Sequence, residues 1–124
     1  FNPNILKTIN RLSQVSTEEN EYLNKVTAET FDKICVGDAA HSDPHFEGIT
    51  LDLEQFNNLE LVIKRRLILY TINELLGTTE GIEKVNIDDI IKLCNNNVGN
   101  KYLMPIKNLK ILVKKGKIFF EAVT

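Results

Sequence analysis

No apolar run reaches the roughly 18 to 20 residues that a membrane-spanning helix needs, and no leader pattern opens the chain. Nothing in it is expected to cross or enter a membrane. Only two cysteines occur, Cys35 and Cys94, far apart and in no CxxC pair. That excludes a disulfide framework, and the reading is two reduced thiols in a cytoplasmic protein. Neither a Walker loop nor a GxGxxG turn is present, so the chain shows no phosphate-binding loop of its own. Internal repeats and low-complexity tracts are also missing, which leaves one ordinary domain as the expectation. The chain opens on Phe1 rather than Met, which reads as a piece of something longer.

What is present is ordinary in bulk and uneven in detail. With 124 residues, 43% hydrophobic and 26% charged, the chain can bury roughly two thirds of its unfolded surface. A net charge of −2 predicts no general attraction to nucleic acid. The average hides a split, however. Residues 1–100 hold sixteen acids against nine Lys or Arg, whereas 101–124 hold one acid and six Lys. A basic module on an acidic body points to an anionic partner.

In order along the chain, Asn2 followed by Pro3 reads as a helix start, with Asn2 as N-cap. Ile5, Ile9, Leu12, Leu23, Val26 and Ile34 hold one helical stripe to about residue 35, a helix of about 50 Å if unbroken. Ser16 to Glu19 also reads as a capping box, so a break there stays open. Residues 37–48 carry Gly, Pro and no periodicity, the pattern of a loop. Ile49, Leu51 and Leu53 alternate with polar residues as a short strand would. Phe56 then leads into a helix over 59–77 that Gly77 closes. Asn86 is expected to cap a shorter helix, with Asp88 and Asp89 in its first turn and Ile87, Ile90, Ile91 and Leu93 as its apolar face. Residues 109–113 and 117–120 flank Lys115-Gly116 and predict a hairpin.

The helix over 59–77 is the organising element. Leu59, Val62, Ile63, Leu67 and Tyr70 cover one side and Ile68, Leu69, Ile72, Leu75 and Leu76 most of the other. Glu60, Lys64 and Thr71 form the only polar stripe, with Glu60 well placed to pair with Lys64. Arg65 and Arg66 have no acid three or four residues away. They need a distant carboxylate or a phosphate.

Other constellations read as ordinary structure. Cys35, Asp38, His41, Asp43 and His45 include metal-ligand types, but Gly37, Pro44 and Gly48 argue against the helix that would align the two histidines. No metal is expected. Cys94 lies in an apolar helix and is expected to be packed. Lys110 and Lys114 share one face of the hairpin, with Ile111 and Val113 on the other. That face is either a charged, aggregation-resistant surface or a phosphate contact.

Several segments in succession carry a resemblance: Asn2 to Leu12, the acidic TEENEYL stretch, GITLDLEQFNNL, KRRLILYTINELLG, NIDDIIKL, and NKYLMPIKNLKILVKKGKIFF. Their order resembles the region C-terminal to the ATP-binding domain of tRNA(Ile)-lysidine synthetase, over essentially the whole chain. That family joins lysine to the wobble cytidine of an isoleucine tRNA, with ATP activating the base as an adenylate. The resemblance implies a tRNA(Ile)-positioning region without catalytic residues. It places ATP and Mg in a missing N-terminal domain that carries an SGGxDS loop, and it adds a homodimer through the parent protein as a further partner. Arg65 and Arg66 fall where the family has a paired Arg. A third Arg often found three residues later is Leu69 here, or Tyr70 if the register slips by one, a departure from the pattern. Paired stems hide their base edges in a deep groove, so phosphate and shape contacts are expected. Exposed aromatic platforms for single-stranded bases look scarce; of Phe119 and Phe120, one at least is expected in the core.

The expectation is a mainly helical α+β domain: a long N-terminal helix, a central buried helix, a short helix and a C-terminal β-hairpin. Residues 1–36 are read as a connector helix, 37–100 as a helical substrate-binding core and 101–124 as a basic hairpin packed on that core. Candidate nucleic-acid contacts are Arg65, Arg66, Lys101, Lys107, Lys110, Lys114, Lys115 and Lys117. The rival readings are a dimerisation module built on the first helix and a metal-binding regulator using His41 and His45.

Overall fold

The first helix runs from Pro3 to Ile34 (α1) without interruption, 32 residues and about 48 Å. In the computed structural model the described residues are 3–36, 48–96 and 101–123, with side chains described from residue 14 onward. Asn2 as a cap and the whole metal-ligand set beyond Cys35 therefore lie outside the described residues, as do the side chains of Ile5, Ile9 and Leu12. No break occurs at Ser16 to Glu19. Helix propagation costs less than starting again, and Glu21–Lys25 and Glu29–Lys33 are four apart in the favourable order. Residues 14–22 are exposed, while Thr27 and Ile34 further along are buried. Among the described side chains of α1, those seated on the body lie in its second half.

After α1 come β1 (Cys35–Val36), β2 (Gly48–Asp52), α2 (Leu53–Asn57), α3 (Leu61–Leu76), α4 (Lys84–Asn95), β3 (Lys101–Ile106), β4 (Leu109–Lys114) and β5 (Lys117–Ala122). The architecture is α+β, as expected, but the sheet is larger than a hairpin. It has five antiparallel strands in the order β1-β2-β5-β4-β3. Residues 48–52 pair with 117–121, which inserts the early strand beside the late one. Local patterns announce β2, β4 and β5 but not a pairing across so long a stretch of chain.

Period-two alternation sorts the sheet into two faces. Leu51, Leu109, Ile111, Val113, Ile118 and Phe120 point into one core with Ile34, Phe56, Leu67, Ile68, Ile72, Ile87, Ile90, Ile91 and Cys94 of the helices. Each fully buried side chain of this size stabilises the fold by about 1.5–3 kcal/mol. Phe120 is buried and Phe119 half-buried, in line with one of the two packing in the core.

The central helix is less uniformly wrapped than its composition predicts. Its fully buried stripe is Ile63, Leu67, Ile68, Thr71 and Ile72, whereas Leu61 and Val62 are about half exposed. Thr71, placed by pattern on the polar side, is completely buried. Its hydroxyl donates to the Leu67 carbonyl at 2.7 Å, so this buried hydroxyl is satisfied. Gly77 ends the helix at φ 77°, the left-handed conformation that favours glycine. The N-cap of α4 is Glu83 rather than Asn86, which places Asp88 and Asp89 beyond the first turn. Asn86 instead takes the third helical position, where its Oδ1 accepts the Glu83 N–H at 2.7 Å.

Candidate nucleic-acid interface

The two arginines diverge. Arg65 turns toward α4, where its Nε stands 3.8 Å from Asp88 Oδ1, too far for a hydrogen bond; that buried Nε has no hydrogen-bond partner among the described residues. Both side chains are roughly 40% exposed, and such a pair contributes about 0–1 kcal/mol. Arg66 turns the other way, toward α1. Its Nη1 donates to Asn24 Oδ1 at 3.1 Å and its Nη2 to Asn20 Oδ1 at 2.9 Å. Both amides sit one helical turn apart on α1, a spacing that suits the guanidinium fork. Among the described residues no carboxylate reaches Arg66. It is held by neutral groups.

A cavity of about 280 Å³ adjoins Arg66, lined also by Asn24, Thr27, Leu69, Tyr70, Asn73 and Thr79. Leu69 and Tyr70, where a third Arg was sought, are therefore cavity walls. Phe31 and Tyr70 pack ring to ring at 5.0 Å beside it. The Tyr70 hydroxyl is pushed up in pKa by burial and by the charges of Glu74 and Asp32.

The lysines arrange differently. In the Lys115-Gly116 turn both residues have positive φ, 51° and 74°, which defines a type I′ turn. The Gly116 carbonyl accepts the Leu53 N–H at 3.0 Å, pinning the turn to the start of α2. Lys114 and Lys117 face each other across the ladder beside this turn, and like charges so placed repel. Lys101 pairs in register with Val113, at the same end of the sheet. Lys101, Lys114, Lys115 and Lys117 therefore gather at one end. Lys107, in the β3–β4 turn, lies at the other.

Lys110 occupies the outer sheet face, with its Nζ 4.9 Å from the Tyr102 ring centroid and Glu121 opposite in register. Asp52, opposite Lys117, has its carboxylate turned to the Gln55 N–H at 2.9 Å. No ion pair reaches any of the six lysines among the described residues. Sequence reasoning missed Tyr102, whose side chain is 63% exposed. The sequence carried little signal for it, because Pro105 breaks the alternation of this strand.

No group of three or more metal-ligand side chains occurs among the described residues, and no described helix is long and apolar enough to cross a membrane. The class these features define is an α+β unit with a cationic end to its sheet. No family model matches the chain. Its similarity is to tRNA(Ile)-lysidine synthases: 29% identity over 119 residues with that of Clostridioides difficile, 95% of this chain and 24% of the relative. The protein of that name from Caldanaerobacter subterraneus subsp. tengcongensis is 26% identical over 125 residues, 94% of this chain and 25% of its own length. That of Clostridium tetani is 29% identical over 123 residues, 98% and 24%. The resemblance drawn from the order of segments is thus present over nearly the whole chain, which spans about a quarter of the length of these curated relatives.

Proposed function

We propose that this chain is the tRNA-positioning portion of a ligase that joins lysine to the wobble cytidine of an isoleucine tRNA. The relatives bear the name of that enzyme, and the match covers nearly all of this chain but a quarter of each of them. Both facts support one region of a larger enzyme; in this reading the enzyme is cytoplasmic and the region lies C-terminal to the domain where ATP and Mg act. The observation that carries the RNA-binding role is the gathering of Lys101, Lys114, Lys115 and Lys117 at and beside a pinned turn, without an ion-pair partner among the described residues, with Lys110 on the adjoining open face. A like-charged ladder pair costs folding energy, and phosphates would relieve it. Arg65 and Arg66 stand in the helical layer. In this reading they act first as braces, Arg65 toward α4 and Arg66 toward α1.

The test uses the full-length enzyme with Lys110, Lys114, Lys115 and Lys117 replaced together by Ala. If each lysine meets one phosphate, the slope of log affinity against log salt should flatten by about three. Affinity for tRNA(Ile) at low salt should fall with it. An unchanged slope overturns the assignment of these lysines.

A further inference from the structure

The outer face of the sheet carries one row that runs in register through all five strands: Val36, Thr50, Phe119, Leu112 and Tyr102. At its β3 end the row is open. Tyr102 is 63% exposed and Met104 47%, on an edge strand with no further strand beyond it among the described residues. Lys110 reaches over the Tyr102 ring at 4.9 Å. Lys114 projects from the same face, beyond Leu112. An exposed aromatic ring bracketed by ammonium groups is the combination that binds unpaired nucleotides. The ring offers a stacking surface to any base, and the lysines track the phosphates on either side. A stem would use the lysines but not the ring, because its bases are already stacked on one another.

We infer that Tyr102 stacks on an unpaired base of bound RNA while Lys110 and Lys114 hold the flanking phosphates, so that the outer sheet face takes a loop or end rather than a stem. This rests on the tRNA-binding reading above and assigns that site its RNA element. Tyr102 is a positioning contact and takes no part in chemistry.

The experiment measures binding of the whole 124-residue chain to a six-nucleotide single-stranded RNA and to a blunt twelve-base-pair RNA duplex. Tyr102→Ala should weaken single-strand binding roughly 5- to 150-fold, the range for loss of one base stack, with duplex binding unchanged. Tyr102→Phe keeps the ring and should keep the affinity. The melting temperature of Tyr102→Ala should match the parent, since so exposed a side chain contributes little to the core. Single-strand binding by Tyr102→Ala equal to the parent overturns the stacking role, as does an equal loss for duplex and single strand. If the four-lysine variant loses RNA while Tyr102→Ala does not, the stacking role fails and the tRNA-binding reading stands. If the parent chain binds neither RNA, both fail.

Discussion

Replacing Arg66 by Met should loosen the seat of α1 on α3 without touching the lysine cluster. The side chain makes two hydrogen bonds, at 2.9 and 3.1 Å, both to neutral amides of α1. A bond with one charged partner contributes about 1.5–3 kcal/mol when well shielded, and these are exposed, so about 1 kcal/mol each is the better figure. Their joint loss predicts about 1–2 kcal/mol less stability. For a domain of this size that is a fall in Tm of about 4–8 °C. Arg66→Lys retains the charge but reaches one amide at a time, and should lose about half as much. Because the partners are uncharged, the loss should be nearly the same at low and high salt. Urea denaturation at two ionic strengths reads all of this directly. A loss that disappears in high salt would show that Arg66 acts through charge. Unchanged stability with a large loss of tRNA affinity would make it a phosphate contact and refute the brace.

Two further outcomes follow from single residues. Lys115→Asn should raise stability by about 0.5–1 kcal/mol, because Asn tolerates the left-handed conformation that Lys115 adopts at φ 51°. The same change should lower the salt slope of RNA binding by about 0.7–0.9; a protein that becomes less stable would show that the turn is not type I′ in solution. The Cys94 thiol, completely buried, is pushed up to about 12 from 9.0 by burial, against a small opposing effect of Lys64. Its neutral form is the one the fold accommodates, so its contribution is complete below pH 9 and is lost as pH rises from there toward 12. Stability followed by urea denaturation from pH 8 to 11 should therefore decline more steeply in the parent than in Cys94→Ala.

The parts of this fold legible in the sequence are those set by local rules. The second half of the α1 stripe, the alternation at Ile49 and Leu51, Gly77 at a helix end and the Lys115-Gly116 turn each follow from periodicity or from a conformation few residues adopt. The joining of residues 48–52 to 117–121 was not legible, since either strand could have formed an edge. β3 was obscured by Pro105 and by the register shift between Leu103 and Ile106, which break the alternation that marks a strand. Thr71 reads as polar until its hydroxyl is seen to bond one turn back. Asn86 is as good a third residue of a capping box as it is a cap. In the candidate site, the lysines were visible as a charge split, but their division between two ends of the sheet needed the strand register. The partners of Arg65 and Arg66 lie on other helices, Asp88 on α4 and Asn20 and Asn24 on α1. Helical spacing within α3 could not name them.

The most direct test of the account follows backbone amide resonances of the 124-residue chain while tRNA(Ile) is added. The largest changes are expected at Tyr102, Lys110 and residues 114–117, with α4 and the Arg66 cavity nearly silent. Changes concentrated around Asn24, Arg66, Tyr70 and Asn73, with the Lys115-Gly116 turn unmoved, would contradict it and place the RNA on the helical side.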